Sequence, residues 1–271
     1  MHPISYAQAA VLGLLQGAAE LFPVSSLGHS VIAPKLLGWD IHQDDDFFLT
    51  FLVATHLATA LVLLGFFWRD WVRIVRGLGR SIRDREIGDP DARLGWLIVV
   101  ATLPAGLLGL ALEHALRSVF ASPTAAAAFL LCNGLMLFGA ERLRKGAPVR
   151  VGAQFSDERL AREVSPREAV GIGVAQALAL LPGFSRSGAA MSGGLLAGLS
   201  NEDAARFAFL LATPIIGAAA ILKLPDLLGP QGDGIRGPAL AGALCAALTA
   251  YVSVRFLVRF FETNRLTPFA Y

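Results

Sequence analysis

Gln16-Gly17-Ala18-Ala19-Glu20-Leu21-Phe22-Pro23-Val24-Ser25-Ser26-Leu27-Gly28-His29 decides how the rest of the chain is read. From Glu20 to His29 it gathers a carboxylate, two hydroxyls and an imidazole inside otherwise apolar sequence. The arm before it starts at Ile4 and the arm after it ends at Leu37. Each is shorter than the ~20 apolar residues that one membrane crossing needs. The segment 4–37 therefore reads as a re-entrant helix–turn–helix hairpin, its irregular backbone covered by protein or lining a wet cavity. Farther along, Pro182-Gly183-Phe184-Ser185-Arg186-Ser187-Gly188 breaks the apolar segment 169–199 in the same way. Ionisable groups at membrane depth are costly and mark function. The two breaks are expected to meet in one phosphate-handling site.

Composition supports a membrane setting. Of 271 residues, 55% are hydrophobic and 16% charged, and mean hydropathy is +0.58. A soluble domain carries about a quarter charged residues. A net charge of +2, spread over linkers, speaks against nucleic acid as a partner. Cys132 and Cys245 sit in apolar runs without metal-type spacing, so neither a disulfide nor a zinc site is expected. No removable leader pattern precedes the first apolar run.

Full spans are expected at Phe47–Trp68, Leu94–Leu112 with a kink at Pro104, Thr124–Leu143, Ala204–Leu224 and Pro238–Phe261. Between them lie an acidic loop at Trp39–Asp46, an arginine-rich linker at Arg69–Arg93 and a short turn at Leu116–Pro123. A second basic linker follows at Arg142–Arg167, and a Gly/Pro-rich loop at Asp226–Arg236. The first linker holds seven arginines, and its opening part alternates apolar and basic residues as an interfacial helix does. With both basic linkers on the cytoplasmic side, the acidic loop is external, the first hairpin dips in from outside and the second from the cytoplasm.

Laying Gln16 on Gln176 aligns Ser25 with Ser185 and Gly28 with Gly188, and Phe51–His56 falls near Phe209–Pro214. The chain thus reads as a single transmembrane domain, 1–271, built from an inverted-topology repeat. Repeat 1 covers about 4–143 and repeat 2 about 166–261, each opened by one re-entrant hairpin. The fold class is all-α, integral to the membrane, with about five full transmembrane helices. Gln16, Ser25 and Gly28 have counterparts and suit a shared structural task. Glu20, Ser26 and His29 face Leu180, Arg186 and Ala189, and where the copies diverge the chemistry is expected.

Gln16 and Glu20, four residues apart, share a helix face. A buried carboxylate needs a cation, and hard oxygen ligands suit Mg²⁺ or Ca²⁺ bridging to phosphate; a plain ion pair with Arg186 is the alternative. Ser26 and His29, one turn apart, are the minimum for an activated nucleophile, and either could attack. Arg186 is the natural phosphate clamp. Ser185, Ser187, Ser25, Gly183 and Gly188 around it supply hydroxyls and free backbone N–H groups. Helix capping by the serines and snorkelling by the arginine is the alternative. His56 and Thr55 sit mid-span and could hydrogen-bond the hairpin, but Thr213-Pro214 at the matching place in the repeat favours a structural role, packing or a kink. His2, His42 and His114 receive no role.

At Gln16-x-x-x-Glu20, Pro23-Val24-Ser25-Ser26-x-Gly28-His29 and Pro182–Gly188 the sequence resembles the undecaprenyl-diphosphate phosphatase family of the bacitracin-resistance type, from Ile4 to about Ala270. The resemblance implies a multi-pass enzyme of the bacterial inner membrane with its site open to the periplasmic face. Such an enzyme removes the terminal phosphate of undecaprenyl diphosphate and recycles the lipid carrier for peptidoglycan and cell-wall synthesis, hence cell shape and bacitracin resistance. It implies a divalent cation, a polyprenyl diphosphate substrate among membrane lipids, Glu20 as metal or catalytic acid group, Ser26 and His29 as the nucleophile/base region, and Arg186 on the diphosphate. A homodimer is left open. Gln16 stands where many relatives have glutamate, Leu27 where a small hydroxyl residue is common, and Tyr271 where relatives continue into a last apolar helix. The competing class is a transporter that flips polyprenyl phosphate through the same repeat interface.

Overall fold

The computed structural model describes residues 4–42, 45–120, 122–144, 157–229 and 233–271, and all regular structure among them is helical. Ser5 caps α1 (Tyr6–Leu21) in a reciprocal box with Gln8, which satisfies two N–H groups that the first turn leaves open. After a turn at Phe22–Ser25 comes α2 (Ser26–Leu36), and then the long apolar α3 (Asp46–Phe66). The amphipathic α4 (Trp68–Asp84) buries Ile74, Gly77 and Ser81 and leaves its arginines outward. Next come α5 (Pro90–Phe120) and α6 (Pro123–Leu143), and then the short α7 (Asp157–Glu163). The second helical pair is α8 (Pro166–Gln176), continued by a 3-10 turn at Ala177–Leu180, and α9 (Arg186–Leu196). Two long helices, α10 (Asn201–Leu228) and α11 (Arg236–Phe261), complete the bundle before a 3-10 turn at Thr267–Phe269.

Five helices are long and apolar enough to cross a membrane: Phe47–Phe66, Pro90–Leu112, Pro123–Leu143, Asn201–Pro225 and Arg236–Phe261. They coincide with the five spans expected from the sequence. Their outer faces are apolar: Leu240, Leu244, Leu248, Val252 and Phe256 recur every four residues along α11 and are half or more exposed. Such a stripe suits lipid, because water would penalise it. This is a multi-pass membrane protein.

Three details differ from expectation. The turn placed at Leu116–Pro123 is narrower, because α5 continues to Phe120; Leu116–Phe120 contains no Gly or Pro to stop it, whereas Ser122 caps α6 with Pro123 at its first position. The loop placed at Asp226–Arg236 begins later, since α10 runs through Pro225 to Leu228. The second basic linker contains α7, an element its charge pattern did not announce. Lys145 and Arg150 of that linker, and Asp44 of the acidic loop, lie outside the described residues.

The short pairs are held where they are by backbone-to-backbone contact. Gly13 and Gly17 of α1 abut the α11 backbone at Gly242 and Ala246, and a Cβ on either would overlap a carbonyl oxygen. On the other side, Gly173 of α8 abuts the α5 backbone at Ala101 in the same manner. Small residues at these crossings allow close approach, the usual route to tight helix contact in lipid. Helices α3 and α10 pack on each other between the two pairs. The buried Asp157 ties α7 to the bundle through Arg73 of α4 and Arg206 of α10, and Arg93 grips the carbonyls of Ala161 and Val164.

Candidate active site

The turns of the two helical pairs touch. A Cβ on Gly28 would lie 3.0 Å from the Gly183 Cα, and one on Gly188 would lie 3.2 Å from the Pro23 Cβ. Both turns end in a serine cap: Ser25 Oγ accepts from the Gly28 N–H at 3.2 Å, and Ser185 Oγ from the Gly188 N–H at 3.1 Å. Ser25 holds φ at 65°, in the region that favours glycine. A serine kept there signals a conformation imposed by its surroundings, as residues at functional sites often show. Gly183, at φ 105°, has no Cβ to resist its own turn.

Asn133 of α6 joins the turns. Its Nδ2 donates to the Pro23 carbonyl and its Oδ1 accepts from the Ser185 N–H, both at 2.9 Å. Ser187 Oγ adds bonds to the carbonyls of Glu20 and Phe22 at 3.3 and 3.2 Å. These bonds register one turn against the other.

Glu20 is the hub of the side chains. Its Oε2 accepts from Ser26 Oγ at 2.5 Å and from Gln16 Nε2 at 3.1 Å, with His56 Nε2 3.4 Å away. Its Oε1 faces Arg186 Nη2 at 3.4 Å. The Arg186 Nη1 reaches the Ala208 carbonyl of α10 at 3.4 Å, while its Nε is buried without a partner among the described residues. The guanidinium is thus held by long bonds and keeps a free donor, the condition of a group able to turn to an anion. Glu20 and Ser26 are buried; Arg186 and His56 side chains are 12% and 26% exposed, so the site opens on their side.

The sequence-derived residues divide accordingly. Glu20, Ser26, Gln16 and Arg186 come together, 166 positions separating the ion pair in sequence. Ser185, Ser187, Ser25, Gly183 and Gly188 shape the two turns; Ser25 and Ser185 carry the capping that was their alternative reading, while Ser187 bridges to the first turn. The ion pair weighed for Glu20 is present, with Arg186 turned to it. The His29 ring has its Nδ1 2.7 Å from the Ser25 carbonyl, and among the described residues it makes no side-chain bond to Glu20, Ser26 or Arg186. One residue was read as secondary in the sequence and another escaped it. His56, read as structural with a bond to the first hairpin as the alternative, faces Glu20 of that hairpin. Asn133 carried an unused signal: it is the lone carboxamide in the span 123–143.

A model of the family described as bacitracin resistance protein BacA matches residues 9–271. The chain belongs to that family. Among curated relatives, the undecaprenyl-diphosphatase of Mycolicibacterium paratuberculosis is 52% identical, with 98% of this chain and 93% of that protein covered. Undecaprenyl-diphosphatase 2 of Frankia alni is 46% identical with 100% and 95% covered. The undecaprenyl-diphosphatase of Acidiphilium cryptum is 48% identical with 97% and 92% covered. The matched stretch takes in both turns, α3 and α6, and so every side chain described above.

Divalent cations are the group this family resemblance implies, and the donor set can be tested for one. Among the described residues no three His, Cys, Asp or Glu side chains cluster in a way that could hold a metal. Gln16 Oε1, beside Glu20, is buried and unpartnered. One carboxylate and one orphaned amide oxygen fit a Mg²⁺-like ion that takes its other ligands from substrate phosphates and water, and do not fit an all-protein cage.

Proposed function

We propose that this protein is an undecaprenyl-diphosphatase: it hydrolyses the phosphoanhydride of a polyprenyl diphosphate such as undecaprenyl diphosphate to the monophosphate and inorganic phosphate. The observation that carries the reading is the Ser26 hydroxyl donating to Glu20 Oε2 at 2.5 Å with the Arg186 guanidinium on the other carboxylate oxygen. That set supports reading Ser26 as nucleophile, Glu20 as its base and Arg186 as anion clamp.

In the proposed reaction Arg186, with its unpartnered Nε, binds the diphosphate, and the N–H groups of the two turns add to the cradle. Ser26 Oγ attacks the terminal phosphorus as Glu20 takes its proton; the phosphoanhydride P–O bond breaks and the lipid monophosphate leaves. Water then attacks the phosphoserine and gives its proton to a second base; as the Ser26 Oγ–P bond breaks, Glu20 returns the proton it took to Oγ, restoring Ser26 and releasing phosphate. His29 suits that second base, because its Nδ1–H is committed to the Ser25 carbonyl and its Nε2 is left to accept. A divalent cation held by Glu20 and Gln16 would offset charge on the phosphates.

The arrangement fits an inverted repeat with re-entrant pairs. What supports it is the exchange of partners: the first pair's Gly13 seats on α11, and the second pair's Gly173 seats on α5. With the basic linkers on the cytoplasmic side, the site faces the periplasm and the tail lies among apolar helices. Turnover there would feed lipid carrier back to cell-wall synthesis, in keeping with the family's description as bacitracin resistance proteins.

The test is phosphate release from undecaprenyl or farnesyl diphosphate in detergent, with and without chelator. Wild type is expected to release phosphate with no second compartment present, which a flippase would not do. Ser26→Ala, Glu20→Gln and Arg186→Ala are each expected to lose about 100-fold or more. Full turnover in Ser26→Ala would refute the attack, and turnover indifferent to chelator would remove the cation.

A further inference from the structure

Helix α4 takes no part in the reaction above, yet it carries five arginines in 17 residues. Three of them are neutralised: Arg73 by Asp70 and Asp157, Arg80 by Asp89, and Arg83 by Asp84. Arg69 and Arg76 are exposed and form no ion pair among the described residues. Positions seven apart fall on almost the same line along a helix. Trp68, Val75 and Ile82 make one such line and are 60%, 60% and 65% exposed. Arg69, Arg76 and Arg83 make the next, about 100° further round. The surface opposite the buried Ile74, Gly77 and Ser81 is thus split lengthwise into an apolar edge and a basic edge.

The fold fixes the depth at which this face lies. α3 ends at Phe66 and α4 begins at Trp68, so the chain turns directly out of one crossing. Gly77 then abuts the first turn of the next crossing, α5: a Cβ there would lie 2.6 Å from the Ala92 N. Trp96 Nε1 donates to Ser81 Oγ at 2.9 Å, and Arg80 meets Asp89, just before α5, at 2.9 Å. α4 is therefore fastened between the end of one span and the start of another, where acyl chains give way to head groups. At that depth one edge of a helix can enter hydrocarbon while arginines beside it reach the head groups.

We propose that the outer face of α4 binds anionic phospholipid of the adjoining leaflet, with Arg69 and Arg76 on the head groups and Trp68, Val75 and Ile82 among the acyl chains. Each edge excludes a different occupant. Water would penalise the apolar edge. A zwitterionic head group carries its own cation and leaves the two arginines without a net counter-charge. An acidic soluble partner would answer the arginines and strand the apolar line in water. A lipid with a net negative head group answers both. Each arginine near such a surface favours it by about fivefold, so the unpaired two together are worth roughly 25-fold over a neutral lipid.

Trp68 and Trp71 belong to α4 and Trp96 is bonded to it, so a Trp39→Phe background makes the protein's fluorescence report on this helix. The protein is reconstituted at low salt in phosphatidylcholine vesicles doped with brominated phosphatidylglycerol or brominated phosphatidylcholine, and quenching gives the relative affinity of the two lipids. The anionic lipid is expected to be preferred by roughly 10- to 30-fold. Arg69→Gln/Arg76→Gln should bring that preference to within about twofold of none. Arg255→Gln/Arg259→Gln removes the same charge from exposed positions of α11 and should leave it in place. If the first pair variant does not fold, Arg69→Gln and Arg76→Gln singly decide, each losing about fivefold. Equal quenching by the two lipids, quenching by neither, a preference that survives the loss of both α4 arginines, or an equal loss in the α11 variant overturns the proposal.

Discussion

Asn133 offers the sharpest test of how the site is assembled. It is 1% exposed and makes two bonds of 2.9 Å, to the Pro23 carbonyl on one turn and the Ser185 N–H on the other. Leucine nearly matches asparagine in shape but offers neither donor nor acceptor. Asn133→Leu leaves a buried C=O and a buried N–H unsatisfied, at about 1–3 kcal/mol each, or roughly 2–6 kcal/mol together. For a chain of this size each kcal/mol is worth about 2–4 °C, so melting in detergent should fall by roughly 5–20 °C. The catalytic effect is separate. Glu20 lies three residues before Pro23, and Arg186 directly follows Ser185, so a shift between the turns opens the Glu20–Arg186 gap. Misplacement by about 1 Å can cost 100-fold in rate. Phosphate release measured well below the variant's melting temperature reads that second effect. A melting temperature within about 1 °C of wild type, together with wild-type kcat, would refute the claim that Asn133 registers the turns.

Arg186→Lys keeps the charge but loses the planar fork, and phosphate release should drop about 10- to 100-fold with a raised KM; a lysine variant as active as wild type would argue against bidentate binding. Gly17→Val should overlap the Ala246 carbonyl and cost about 1–3 kcal/mol, seen as a lower melting temperature. Gly79→Ala in α4, where a Cβ meets open space, should instead gain a few tenths to about 1 kcal/mol. Asp89 caps α5, and its carboxyl lies below the usual carboxylate range because the Ala92 N–H and then Arg80 favour the charged form. Its contribution is therefore complete above the ordinary carboxylate pKa of ~4 and lost as pH falls through the lowered folded value. Asp89→Asn should keep the cap and flatten the dependence of melting temperature on pH below about 5, and an unchanged slope would show that Asp89 does not supply it.

The spans were legible because lipid leaves the sequence little freedom: each must be long and apolar, and their ends are marked by Trp39, Trp68, Asp and Arg. The clustering of Glu20, Ser26 and Arg186 was legible for the complementary reason, as charges and hydroxyls where apolar residues are expected. What escaped was whatever depends on which helices meet. His56 shares α3 with Thr50, Thr55 and Thr59, and only the approach of α1 to α3 singles it out as the neighbour of Glu20. Asn133 acts through backbone atoms of two turns 162 residues apart (Pro23 to Ser185), and backbone groups leave no trace in residue identity. The short α7 was hidden by its charges: Arg159 and Arg162 in a linker read as a solvated segment, yet Arg159 pairs with Asp203 of α10 and the buried Asp157 is held by Arg73 and Arg206. His29 stands one step back from the cluster, its ring bonded to the Ser25 carbonyl of the same turn.

The comparison of the two halves explains why the cluster needs both. Residues that match between them do matching work: Ser25 and Ser185 cap, and Gly13 and Gly173 let a helix seat on its neighbour. Where they differ, each half supplies what the other lacks. The first turn brings Glu20 and Ser26, a base and a hydroxyl, opposite Leu180 and Arg186. The second brings Arg186, a cation with no counterpart charge in its own turn. Separated, the first pair would bury a carboxylate without its guanidinium, and the second a guanidinium without its carboxylate, each costly in a low-dielectric interior. Joined, the ion pair holds the two turns together. On the proposed function a diphosphate competes for Arg186, so the electrostatics that assemble the site are those that substrate would displace, while the Ser26–Glu20 bond is already in place to act.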